Sequence, residues 1–134
     1  MSDLRTFCVE LQEAKGTPEV LLEYEDYGRD QILLYLKEQA FFANTKYYFG
    51  YDVLNGGDIN LKHIKIYAVQ KGDHVVLASD GYPKLFDTLE ESEDYLKKAL
   101  KQDEECLHIL RGTKGVKDGN ESFDDRAFLS FVVY

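Results

Sequence analysis

Residues 74–81, HVVLASDG, constrain the fold more than any other stretch of this chain. Val75, Val76, Leu77 and Ala78 demand cover from solvent, and Ser-Asp-Gly then makes the chain stop and turn. The expectation is a buried strand with a carboxylate, Asp80, at its C-terminal end. Such an acid is either a turn former or a ligand placed for chemistry. The rest of the sequence has to separate the two.

A chain of 134 residues can bury a core of its own, so a single domain over 1–134 is expected. Sixteen basic residues stand against 25 acidic ones, a net charge of −9. A polyanion needs a basic footprint, and this balance excludes nucleic acid as a partner. No apolar run approaches the roughly 18 residues that span a bilayer. MSDLRTF also lacks the apolar segment of a signal peptide, so the reading is cytoplasmic, with no membrane partner. Cys8 and Cys106 form no CxxC pair and read as two buried thiols in a reducing compartment. His63, His74 and His108 are dispersed and read as surface or satisfied core residues.

Alternation of Phe7, Val9 and Leu11 predicts a strand over 6–12, and Val20, Leu22 and Tyr24 predict its hairpin partner. Asp30 is placed to cap a helix running to Asn44, apolar enough to be covered on several sides. YYFGYDVLNGGD reads as a strand closing on a turn. HIKIYAVQ reads as another, joined through KGD to the apolar run at 74–80 and pairing antiparallel with it. Thr88-Leu89-Glu90-Glu91 fits a capping box, with acids in the first turns and lysines in the last. Leu89, Leu96, Ala99 and Leu100 would form the core stripe of that helix. A second short helix is expected over 103–110, then a polar loop, then a last strand over 127–134. Strands and helices fall in blocks, which predicts an α+β fold with mostly antiparallel sheet flanked by helices.

There is no phosphate-binding lysine loop, no GxGxxG after a strand and no GxSxG elbow. Carboxylates remain. Asp80 ends one apolar strand, and Asp124 with Asp125 precedes another. If those strands are neighbours, their acids converge, and a hard cation such as Mg²⁺ or Mn²⁺ would offset the repulsion. On spacing alone, turn chemistry accounts for both motifs.

VVLASDGYPKLF, followed after two helices by GNESFDDRAFLSF, resembles the C-terminal half of the metal-dependent protein phosphatase 2C family, and more nearly a bacterial branch of it. The resemblance runs from about residue 44 to the end, and GYDVLNG is similar to the strand and turn upstream of the Asp-Gly motif. It implies part of a phosphatase 2C-like β-sandwich. It also implies Asp80 as one metal ligand with Gly81 as its turn partner, Asp124 as another with Asp125 in an Asn-like place, and Mg²⁺ or Mn²⁺ as cofactor. The family's N-terminal acidic motif and its Asp-Gly-His-Gly-like motif, which bridge two metals, are not visible, and little chain precedes residue 44 to hold them. The expectation is a fragment or truncated form of a Ser/Thr phosphoprotein phosphatase, inactive alone, with at most one hydrated ion. The alternative is a non-catalytic acidic protein-interaction module of the same fold. Sheet left exposed by the missing part would be covered by self-association or by a second polypeptide.

Overall fold

The structure, a computed structural model, describes residues 1–58 and 60–134. Helix α1 covers Ser2–Ala14 and helix α2 Tyr27–Glu38, joined through a short 3-10 turn, Pro18–Glu23, that a proline opens. The hairpin expected at 6–12 and 19–27 is therefore wrong. A seven-residue alternation does not separate a strand from one side of a helix, and Leu, Glu, Gln and Ala favour the helix. The buried positions of α1 are Arg5 and Val9, one helical turn apart, whereas Phe7 is exposed.

The two helices approach closely where α2 begins. A Cβ on Gly28 would lie 2.7 Å from Arg5 Cγ and 2.9 Å from Val9 Cγ2. Asp26, not Asp30, caps α2, accepting the Arg29 N–H at 2.8 Å. The same carboxylate receives Arg5 at two points, Nε to Oδ1 at 3.1 Å and Nη2 to Oδ2 at 2.9 Å. It also accepts the Gly115 N–H at 2.9 Å. Arg5 Nη1 donates to the carbonyls of Glu105 and Cys106 at 2.7 and 3.3 Å. One guanidinium thus ties α1, the cap of α2 and the 105–115 loop together. Arg5 is only 2% exposed, and so buried a charge is tolerated because Nε and both Nη atoms find acceptors.

Helix α2 is less enclosed than its apolar sequence predicts: Ile32 is fully buried, but Leu34 and Phe41 are exposed. It passes into a 3-10 turn, Gln39–Phe42, and Asn44 reverses the chain at φ 54°. The Asn44 side chain accepts the Val53 N–H at 2.9 Å and donates to the Val53 carbonyl at 3.0 Å. A loop built on Asn44 therefore replaces the strand expected over 47–58, with one parallel bridge, Ala43 to Tyr51.

Residues 64–70 form no strand either. The turn after them exists, with the Asp73 N–H donating to the Gln70 carbonyl at 3.0 Å. The Asp73 carboxylate, however, takes the Gln70 N–H at 2.7 Å, and the Asp73 carbonyl accepts the Val133 N–H at 2.9 Å. The apolar run pairs with the C-terminus instead. Strands β1 (His74–Ala78) and β2 (Phe128–Val132) are antiparallel, with His74 opposite Val132 and Ala78 opposite Phe128. Among the described residues no third strand joins them. The expected buried strand is therefore half-buried, and Leu77 stands 54% exposed. The α+β character holds.

Helix α3, Leu89–Gln102, begins as its sequence predicts. Thr88 Oγ1 accepts the Glu91 N–H at 3.2 Å and donates to Glu91 Oε2 at 2.9 Å. Ser92, Leu96 and Ala99 form its buried stripe, while Leu89 is exposed. The helix expected over 103–110 is instead a loop wrapped round one carboxylate. Asp103 accepts the N–H groups of Leu107, His108, Ile109 and Leu110 at 2.9, 3.0, 2.6 and 3.0 Å. Burial by itself would raise its pKa; the four donors outweigh burial and hold the carboxyl below its ordinary range. Cys106 lies buried in this loop, its thiol pushed up to about 11 by burial first and the Asp103 charge second. Cys8 is only partly covered, so one thiol is buried where two were expected. Among the described residues, no helix is long and apolar enough to cross a membrane.

Arg5→Ala is expected to lower the unfolding free energy by about 3–5 kcal/mol, because Asp26 loses its counter-charge in a largely buried place. Asp3→Ala removes only the exposed contact with Arg111 and should cost less than about 1 kcal/mol. Urea unfolding followed by circular dichroism makes the comparison. Similar small losses in both variants would mean that the guanidinium does not hold the helices and loop together.

Candidate functional site

The ladder continues by one further residue pair before it opens. Ser79 donates its N–H to the Ala127 carbonyl at 3.0 Å, and Ser79 Oγ accepts the Ala127 N–H at 2.9 Å. Gly81 then passes directly beneath the incoming chain. A Cβ there would lie 2.3 Å from the Asp125 carbonyl oxygen, so this position accepts only glycine. The Asp-Gly dipeptide is thereby explained as a close backbone crossing. The crossing brings the Asp80-Gly81 turn and the Asp124-Asp125 pair to the same end of the β1–β2 ladder.

The two predicted ligands have different surroundings. Among the described residues, the Asp80 carboxylate is exposed and makes no hydrogen bond or ion pair. Asp124 is half-buried and holds Lys114, Nζ to Oδ1 at 2.9 Å, while Oδ1 also accepts the Asp125 N–H at 3.0 Å. The Lys114 hydrogen bond outweighs burial and keeps Asp124 below the usual carboxylate range. Among the described residues, no group of three or more His, Cys, Asp or Glu side chains is placed to hold a metal ion. Mg²⁺ takes six oxygens and keeps several waters among them, so Asp80 and Asp124 would fill only part of its shell, with Lys114 competing for Asp124.

A tighter cluster lies beside them. Tyr82 is buried and donates its hydroxyl to Glu93 Oε1 on α3, which also accepts from Arg126 Nε at 3.0 Å. The Tyr82 ring meets Phe128 edge-on at 5.9 Å, and the Arg126 guanidinium lies 6.0 Å from the Tyr82 ring centre. The Tyr82 hydrogen bond, helped by Arg126, overcomes burial and lowers Glu93. Burial, then Glu93, raises Tyr82. Burial would lower Arg126, but the Glu93 charge raises it overall. This triad fastens the turn after β1 and the approach to β2 onto α3.

Tyr82, Glu93, Lys114, Ser122, Asp124, Asp125 and Arg126 are among the residues lining an open cleft of about 440 Å³. Among the described residues, buried Ser122 Oγ has no hydrogen-bond partner there. Two of the cleft's cations are engaged by acids, Lys114 by Asp124 and Arg126, through Nε, by Glu93. Sequence reasoning missed Tyr82, Glu93, Lys114 and Arg126. Glu93 reads in sequence as one of several acids complementing the α3 dipole, and nothing local marks it as the partner of residue 126.

No protein family, curated protein or solved structure matches this chain.

Glu93 and Asp124 both titrate below their ordinary values, so each contributes stability above the unfolded-state pKa of about 4 and loses it as pH falls through its folded value. Glu93→Gln should therefore cost about 1–2 kcal/mol near neutrality and flatten the acid limb of the stability profile. Asp80→Asn, at an exposed carboxylate without partners, should stay within about 0.5 kcal/mol. Unfolding free energies measured from pH 7 down to pH 3 test both. An unchanged acid limb in Glu93→Gln would remove the triad from the list of stabilising contacts.

Proposed function

We propose that this chain is a partial metal-dependent Ser/Thr phosphoprotein phosphatase domain of the phosphatase 2C type, without turnover on its own. The supporting observation is that β1 and β2 are direct antiparallel neighbours, carrying Asp80-Gly81 and Asp124-Asp125 to one end of a single ladder. In this reading the ladder belongs to a β-sandwich whose remaining strands and acidic ligands come from outside these residues. Asp80 and Asp124 are one part of an Mg²⁺ or Mn²⁺ ligand set. A complete two-metal hydrolytic centre needs ligands on both ions, so the isolated residues leave phosphoprotein unhydrolysed. A cytoplasmic setting, with neither nucleic acid nor membrane as partner, belongs to the same reading.

A second reading, a non-catalytic acidic interaction module of the same fold, draws support from Lys114. An ammonium already seated on Asp124 neutralises it without any metal, and Asp80 then only closes its strand. The two readings part on cation binding. Under the first, calorimetric titration with Mn²⁺ gives weak binding, with a Kd of roughly millimolar or above, that Asp80→Ala and Asp124→Ala each remove. Heat identical in the wild type and Asp80→Ala, or absent from both, would leave only the interaction module.

A further inference from the structure

A second cleft, of about 360 Å³, opens between the start of α2 and the 104–117 loop, and it shares only Lys114 with the cleft at the ladder end. Its volume falls within the range of small-molecule sites. The two walls are tied together. Arg5 joins Asp26 to the Glu105 and Cys106 carbonyls, the Gly115 N–H reaches Asp26, and the Val116 N–H donates to the Glu104 carbonyl at 3.1 Å. A ligand entering here meets a preformed surface and orders little of the chain on binding.

Part of the lining is apolar, made by Val9, Leu21, Tyr24, Tyr27 and Val116. The Tyr24 and Tyr27 rings meet edge-on, their centres 5.2 Å apart. The charged part is uneven. Each of the three cations lining the cleft already faces an acid: Arg5 faces Asp26 at 2.9 Å, Lys114 faces Asp124 at 2.9 Å and Lys117 faces Glu25 at 3.5 Å. Glu104 and Glu105 also line it and are exposed, and among the described residues their carboxylates hold no hydrogen bond or ion pair. An anion arriving here meets cations that are already matched and two carboxylates that are not. A cation finds those two carboxylates waiting.

We infer that this cleft binds a small primary amine carried on an aromatic body, the ring against the Tyr24–Tyr27 pair and the ammonium at Glu104 and Glu105. Burial against the apolar lining supplies affinity, and the tyrosine pair favours a ring over an aliphatic chain. The two unmatched acids set the sign of the charge. Neither Asp80 nor Asp124 lines this cleft, so the site stands apart from the phosphatase reading.

Phenethylamine is the probe, with hydrocinnamate as its anionic counterpart and propylamine as its counterpart without a ring. In two-dimensional NMR titrations of the full chain, phenethylamine should shift the amides of residues 24–28 and 104–117 and saturate with a Kd on the order of a millimolar. Hydrocinnamate and propylamine should each bind about fivefold more weakly or worse. Replacing both acids, Glu104→Gln with Glu105→Gln, should weaken phenethylamine by about threefold to tenfold and leave hydrocinnamate no weaker. Both side chains are exposed, so far-UV circular dichroism of that double variant should match the wild type. Absence of saturable shifts, or shifts centred on other residues, overturns the inference. So does hydrocinnamate binding as tightly as phenethylamine, or a double variant that binds the amine as the wild type does.

Discussion

The contact between Arg5 and Asp26 carries the N-terminal half of this molecule. A buried guanidinium is costly unless nearly every donor is matched, and here the acceptors come from two distant places in the sequence, Asp26 and the Glu105–Cys106 carbonyls. Asp26 is at once the cap of α2, the counter-charge of Arg5 and the acceptor of the Gly115 N–H. Removing either side chain therefore reaches beyond a single pair. Gly28 completes the arrangement, since any larger residue would push α2 off the Arg5 and Val9 side chains. Apolar contact adds less than usual, because few large side chains beyond Ile32 and Leu96 are fully buried.

Carboxylates organise the rest of the chain in the same manner. Asp103 gathers four backbone N–H groups and so fixes a loop that has no regular secondary structure. The Asp73 carboxylate closes the turn after residue 70 by accepting the Gln70 N–H. Glu93 joins α3 to both approaches to the ladder. Asp26, Asp73, Glu93, Asp103 and Asp124, among the 25 acidic residues, thus have structural roles. Local polar fastening substitutes for layers of packed sheet, which fits a chain with so much apolar surface still uncovered.

What the sequence discloses follows from the range of the interactions involved. Helix α3 is written locally, in the Thr88 cap, the Leu96–Ala99 spacing and the charge gradient, and it forms where expected, although Ser92 rather than Leu89 completes the buried stripe. The positions of β1 and β2 are equally legible in two apolar runs bounded by turns. Their partnership is not, because the competing hairpin with 63–70 looks better on proximity, whereas Gly72 and Asp73 pair through their backbone with Val133. Helix α1 is misread because its deciding residue, Arg5, is a charged side chain that a hydrophobic pattern scores as solvent-facing. At the candidate site, the Asp80-Gly81 and Asp124-Asp125 motifs are visible in sequence. The Lys114 ammonium seated on Asp124, and the triad beside it, depend on contacts between distant segments that no local pattern encodes.

Loops fastened by side-chain carboxylates are the central claim, and native-state amide hydrogen exchange tests it most directly. The N–H groups of residues 107–110 and of Gly115, which point at Asp103 and Asp26, should exchange as slowly as those in the middle of α3. Exchange at these five amides as fast as in the polar 117–120 stretch would contradict it.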